Sequence, residues 1–471
     1  MEYSQQPQFG APVPALYSLQ PGPDDRCLDL VFVLDVTGSM QSYIDSATDN
    51  IKTICDEIVL SDNLASAECL RIGLIAYRDY PPQDSSFITK VFPLTSSVSQ
   101  IKENLKTLHA SGGGDGPEAS EAAIGELLNL DWRINASKMA VLITDAPPHG
   151  INEISDGFPR GSPNGLDPLV ITRQLASQGI ALFVVACEPG LSGYQYGVEF
   201  YRALTEISSA MLLPLTTANL LAHVIVGSAL EHMHMDRLIR EVGQAVAERV
   251  AMSGGAAAVD DVAKELHERL MLRNENTRHL VLDDDIYNES EEAKHNFNVW
   301  ITSATLEEAR PNLKKIISRT RLSDKYLKYR SMSSKMSHFM PPRPRLGGST
   351  EGEPMTGTGP SVGVHDTVST PTAPIATGAS PSTSPASRKI TTTFKPYSAP
   401  SNMSISSYQE TPSLPTTTSS SGLRDSNDDT KEEADDDDEL QKVTSLFGAI
   451  SIKQAQRITN SSVFRAQGMA S

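Results

Sequence analysis

Asp35-Val36-Thr37-Gly38-Ser39 places a carboxylate and two hydroxyls at alternate positions directly after the apolar run Leu28–Leu34. Alternate residues of an extended chain point the same way, so Asp35, Thr37 and Ser39 can face one point at a strand end. Gly38 permits a tight turn, and a helix starting there adds free backbone donors. Carboxylate and hydroxyl oxygens are hard ligands suited to Mg²⁺, which keeps several waters and demands near-octahedral geometry. Two further segments carry acids at comparable places. Ser111-GGGDGPEAS holds Asp115 and Glu118 just before a helical stretch, and KMAVLITDAPPHG (138–150) puts Asp145 at the carboxyl end of a strand. Asp and Ser also cap helices, and any one segment alone has that plainer reading. Three in order, each at a strand end, point to convergence around a cation.

The elements that must position these residues are legible as periodicity. Leu28–Leu34, Ile72–Tyr77, Phe87–Phe92, Lys138–Thr144, Ile180–Ala186 and Met211–Leu215 read as strands, several of them apolar throughout, as parallel strands covered on both faces are. Between them, Ile44, Ala47, Ile51, Ile54 and Ile58 recur at helical spacing, as do Val98, Ile101, Leu105 and Leu108. Asp167-Pro168 supplies an N-cap and first-turn proline for another helix. Strands alternating with helices over residues 26–230 predict an α/β fold, a doubly wound and mainly parallel sheet with its ligand site at the carboxyl ends of the strands.

The three segments together resemble the von Willebrand factor A (VWA) domain and its metal-ion-dependent adhesion site. DVTGS matches the family's Asp-x-Ser/Thr-x-Ser, with Thr37 keeping the hydroxyl. GGGDGPEASEAAI and TDAPPH are most similar to the β-integrin I-like version, which implies Glu118 as a metal ligand, Asp115 as a second candidate, and Asp145 acting through water. The acidic pair that builds a neighbouring cation site in β integrins is missing, since Met40-Gln41-Ser42 follows Ser39. The resemblance covers roughly residues 27–230. It implies Mg²⁺, with Mn²⁺ and Ca²⁺ as alternatives, and an open position on the metal that accepts Asp or Glu from a partner protein.

The remaining chain reads as accessory. A Pro/Gln-rich start (1–25) and a Ser/Thr/Pro-rich then acidic stretch (337–439) are too poor in aliphatic clusters to fold. Residues 231–336 show helical periodicity with a Gly/Ala break at 254–258, a helical extension. Residues 440–466 regain an amphipathic helical period that Gln454 interrupts. His232 and His234, beside Glu231 and Asp236, face different directions on a helix and read as a solvated face. His149 has no identified partner, and the four cysteines read as small buried hydrophobes.

Charge and missing motifs narrow the function. Of the net charge of −18, half lies in residues 425–439, which hold ten acids and one Lys; no basic stripe suits nucleic acid. GxxxxGK[ST], GxSxG and HExxH are absent, and Thr37 stands where an aspartyl phosphatase carries its second Asp. An enzyme is therefore not expected, and metal-dependent phosphoryl transfer is the weakest alternative. A signalling scaffold is the other, through Thr370-Pro, Ser380-Pro, Ser384-Pro and Thr411-Pro in the tail. Without a signal peptide, and with Pro214, Asn219 and His223 interrupting the apolar segment 210–230, the expectation is a cytoplasmic protein with no transmembrane segment.

Overall fold

Leu28, Leu30, Phe32 and Leu34 enter one core, while Val31 and Val33 between them enter another. Such alternation within an apolar run is what a strand buried on both faces requires. The computed structural model describes residues 27–327 except 62, 63, 65, 155, 283–285, 318–320 and 325, together with 441 and 443–470. The Pro/Gln-rich start, the stretch 337–439 with its Ser/Thr-Pro sites and acidic block, and Asp283-Asp284-Asp285 lie outside the described residues.

Six strands, β1 (Cys27–Asp35), β2 (Leu70–Tyr77), β3 (Thr89–Thr95), β4 (Ala136–Thr144), β5 (Ile180–Cys187) and β6 (Leu212–Leu215), form one sheet in the order β3-β2-β1-β4-β5-β6. All neighbours pair in parallel except β2 and β3. β3 tolerates Pro93 because it is an edge strand. Helices α1 (Gln41–Ser61), α2 (Val98–Lys106) and α6 (Leu221–Met252) contribute to the core on the Leu28 side. Helices α3 (Ser120–Glu126), α4 (Pro168–Ser177) and α5 (Gly197–Ile207) contribute to the Val31 side. The doubly wound, mainly parallel sheet is as expected. α4 starts as its sequence predicts, with the Asp167 carboxylate accepting from Leu169 N at 2.9 Å and Pro168 in the first turn. The chain leaves β1 toward one face and reaches β4 from the other, so the carboxyl ends of these two neighbours flank the crevice where such sheets bind ligands.

Beyond residue 230 the structure departs from the sequence reading. α6 runs unbroken through the expected boundary, because its residues from Leu221 to Met233 complete the first core and those from Met235 onward build another with α7 (Val259–Leu272). The predicted helix over 440–466 is instead a strand followed by a helix. β8 (Val443–Ala449) pairs antiparallel with β7 (Asn276–Leu282), and the C-terminal helix (Ile452–Ala470) packs on α6, α7 and α4. Gln454 does not interrupt this helix but opens it. Its backbone N donates to Ser451 Oγ at 3.2 Å while its side chain accepts from Ser451 N at 3.2 Å, a reciprocal cap.

The histidine-rich stretch of α6 is likewise buried rather than solvated, because the C-terminal helix covers it. Glu231 accepts from Arg457 Nη1 at 2.7 Å, from Gln454 Nε2 at 3.2 Å and from Leu280 N at 2.7 Å. Asp236 accepts from Arg465 and Ser137, both at 2.7 Å, and from Arg240. Despite burial, these cations, Arg465 first, hold the Asp236 carboxyl well below the usual range. Removing one partner of a buried pair strands a charge and typically costs about 3–5 kcal/mol. Arg457→Ala should therefore lower the urea-unfolding free energy by about that much, and adding Glu231→Leu should restore part of it. A loss below about 1 kcal/mol, as expected for the exposed pair Lys52–Asp56, would contradict this docking.

Candidate metal centre

Three loops meet at the carboxyl ends of β1 and β4, stitched by their backbones. Ser111 N donates to Val36 O at 3.0 Å and Gly38 N to Gly112 O at 3.3 Å, joining the glycine-rich loop to the Asp35–Ser39 turn. Glu118 N donates to Pro147 O at 2.9 Å, joining the same loop to the segment after β4. Glycine is required at the crossing. Gly113 has φ +81°, and a Cβ there would lie 2.5 Å from Glu118 Oε1 and 3.4 Å from Thr37 Cβ. Gly190 is equally tight, since a Cβ would stand 2.6 Å from Asp145 Cβ.

Asp35 is fully buried and tightly oriented. One carboxylate oxygen accepts from Thr37 Oγ1 at 2.6 Å and Thr37 N at 2.9 Å, the other from Thr144 Oγ1 at 2.9 Å and Tyr77 OH at 3.4 Å. Burial, and then the Asp145 charge, push its pKa up to about 6 in spite of these donors. Glu118 is buried as well. Burial, followed by Asp35 and Asp79, pushes it up to about 9, and its Oε2 has no hydrogen-bond partner. Burial also raises Asp145, against a hydrogen bond from Ser39. Ser39 itself is exposed, at the mouth of the cluster. The structure thus brings Asp35, Thr37, Ser39, Glu118 and Asp145 to one rim.

Asp115 turns elsewhere. It accepts from Gly157 N and from Gln83 Nε2 at 3.5 Å, and one ligand atom each from Asp115, Asp79 and His149 lie within 4.8 Å of one another. His149 is buried between Asp79 Oδ1, 2.7 Å from Nε2, and Asp156 Oδ1, 2.8 Å from Nδ1. Burial opposes protonation, but Asp156 and Asp79 override it and hold the imidazole up to about 10. Both ring nitrogens then donate, so in this arrangement His149 serves as an internal cation rather than a ligand.

From the sequence, Tyr77-Arg78-Asp79-Tyr80 follows a strand and can contribute to the rim or simply cap it, and His149 stays unassigned; Asp156, Glu121 and Thr144 were missed. Thr144 had a signal, standing beside Asp145 at a strand end; Asp156 lies in an irregular loop with none. Around the rim, five buried carboxylate oxygens lack hydrogen-bond partners: Glu118 Oε2, Asp79 Oδ2, Asp115 Oδ1 and both of Glu121. Orphaned buried carboxylates are costly, and hard oxygens facing one another without an adjacent base other than His149 are the donor chemistry of a divalent cation. The residues fit such an ion.

The titration carries a sign. An acid whose folded pKa is raised binds its proton more tightly when folded, so its stabilisation is present below the unfolded pKa and fades as pH rises through the folded value. In EDTA, stability should fall between pH 6 and 9, with Glu118 (about 9) contributing across that window and Asp35 (about 6) at its lower edge. Thermal melts should give a shallower slope for Glu118→Gln, and an unchanged slope would contradict this assignment.

Residues 29–212 match the family described as "von Willebrand factor type A domain". A Dictyostelium discoideum protein named "Alpha-protein kinase vwkA" is 30% identical over 143 residues, 30% of this chain and 22% of that one. A "Putative ariadne-like RING finger protein R811" of Acanthamoeba polyphaga mimivirus is 28% identical over 199 residues, 41% of this chain and 18% of that one. The chain therefore spans about a fifth of the length of these relatives. Among solved structures, the pilus adhesin SpaC of Lactobacillus rhamnosus GG aligns over 44% of this chain and 30% of its own, at 15% identity and a TM-score of 0.33. With the six-stranded sheet and its flanking helices, the match establishes residues 29–212 of this chain as a von Willebrand factor type A domain.

Proposed function

We propose that this domain is a metal-dependent protein-interaction module, in which Asp35, Thr37, Ser39 and Glu118 hold a Mg²⁺-type cation with Asp145 acting through water, and that the filled rim receives an Asp or Glu side chain of a partner protein. Von Willebrand A domains are generally protein-interaction modules, which supports the class. The observation that carries the reading is the convergence of three loops on the buried carboxylates of Asp35 and Glu118, with Glu118 Oε2 lacking a hydrogen-bond partner.

The chain's own residues set what the rim can do. Thr37 and Thr144 fix Asp35 by donating hydroxyl protons, leaving its charge oriented rather than quenched. The Gly112–Gly114 loop admits close approach of Glu118 to the Asp35 turn. Ser39, exposed, and Asp145, half-buried, lie on the solvent side, where an incoming side chain arrives. When bound, the cation supplies an electrophilic position for a carboxylate oxygen. Asp115, engaged with Gly157 and close to Asp79 and His149, supports the loop that carries Glu118.

We read the module as non-enzymatic. No described residue near the rim forms a nucleophile–base pair: the nearest histidine is spent on two carboxylates. The kinase name of one relative belongs to a protein of which this chain covers 22%. The scaffold alternative rests on tail residues outside those described. Among the described residues, no helix is long and apolar enough to cross a membrane.

A peptide array carrying single Asp or Glu residues, each beside its Asn or Gln counterpart, tests the reading. The full chain should be retained on a subset of acidic peptides in Mg²⁺, with retention lost in EDTA, in Asp35→Ala and on the amide counterparts. Retention equal in Mg²⁺ and EDTA, or equal on amide peptides, would contradict it.

A further inference from the structure

Two of the four cysteines stand side by side at the amino end of the sheet. β1 and β2 pair in parallel with Leu28 opposite Leu70, so the preceding residues, Cys27 and Cys69, are neighbours across adjacent chains. Paired strands lie about 4.8 Å apart, and Cys69 ends the short turn Ala67–Cys69 that leads into Leu70, which keeps the two residues within the Cα separation of about 4.4–6.8 Å that a disulfide needs. The two side chains interact directly, and both are half-buried, whereas Cys55 and Cys187 are buried.

The surroundings distinguish the two sulfurs. Ser66 Oγ donates to Cys69 Sγ at 3.7 Å. The Arg133 guanidinium donates to Cys69 O at 2.8 Å and to Leu28 O at 3.1 Å, held there by the buried Asp29 carboxylate, which accepts from Arg133 Nε at 2.9 Å. Burial works against the Cys69 thiolate, but hydrogen bonds from Cys27 and Ser66 and the Arg133 charge outweigh it and bring its pKa below the ordinary thiol value. Burial and the Cys69 neighbour push Cys27 up to about 11. One sulfur is thus prepared as a nucleophile and the other as the proton-bearing partner that resolves it, a division of labour typical of redox-active pairs.

We propose that Cys27 and Cys69 are a thiol–disulfide modification site that reacts with low-molecular-weight disulfides such as oxidised glutathione. The Cys69 thiolate attacks one sulfur of the reagent, expelling a glutathione thiolate and leaving a mixed disulfide on Cys69. Cys27 loses its proton to solvent and attacks the Cys69 sulfur, expelling the second thiolate and closing the Cys27–Cys69 bond. The dithiol gives up two electrons and two protons, and the reagent takes them up as two thiols. The bond staples the first residue of β1 to the residue before β2, at the opposite end of these strands from the acidic rim.

Equilibrating the full chain in glutathione redox buffers, quenching in acid and mapping peptides by mass spectrometry tests this. The expected result is a Cys27–Cys69 linked peptide that rises as both free thiols disappear, with Cys55 and Cys187 still reduced. Cys27→Ser should accumulate the mixed disulfide on Cys69, and Cys69→Ser should leave Cys27 reduced. On the untreated chain, iodoacetamide at pH 7 should alkylate Cys69 at least ~10-fold faster than Cys27. Mixed disulfides on both residues without a linked peptide, or equal reactivity of all four thiols, would overturn the proposal.

Discussion

A carboxylate buried as completely as Asp35, with Asp145 and Glu118 close by, is stable in its charged form only where positive charge reaches it. The fold supplies part of that need with hydroxyl and amide donors from Thr37, Thr144 and Tyr77. Burial and the neighbouring carboxylates raise Asp35 to about 6 and Glu118 to about 9, so near neutral pH it is Glu118 that keeps its proton. Everything at the carboxyl end of the sheet bears on this one electrostatic demand. The glycines let the second loop approach the first, the Pro147 carbonyl ties that loop to the third, and His149 bridges one oxygen each of Asp79 and Asp156 as an internal cation.

The opposite end of the domain solves a different problem by different means. There the buried acids Asp29 and Asp236 each meet guanidinium groups, from Arg71 and Arg133 and from Arg240 and Arg465, and their pKa values are lowered rather than raised. Asp29 and Asp236 are thus buried acids whose charge the fold itself neutralises, which it does not do for Glu118. Arg457 and Arg465 also bind the C-terminal helix to α6, so the segment after residue 440 is part of the packed unit and not an appendage.

How much of this was legible follows from the range of each signal. The strands and the Asp35–Ser39 turn were readable because period-two alternation and strand-end acids are local, and the sheet order then brings their ends together. Asp79 and His149 are 70 positions apart, and nothing in either neighbourhood announces the other. Glu231 and Asp236 looked solvated because the arginines that pair with them come more than 200 positions later, and His232 because it packs on Lys138 O and Phe183 of the distant sheet. Gln454 is the instructive miss. Its Ser-x-x-Gln spacing from Ser451 is a local start signal that a reading by the apolar stripe alone passes over.

In the bare protein the proton on Glu118 stands in for the cation, and ion binding must displace it. Titration calorimetry of Mg²⁺ into EDTA-stripped chain at pH 7.5, in two buffers of different ionisation enthalpy, measures ion uptake and proton release together. One ion should bind per chain, with a buffer-dependent heat corresponding to net proton release, and Asp35→Ala should lose both. Binding with no proton release, or none at all at millimolar Mg²⁺, would contradict it.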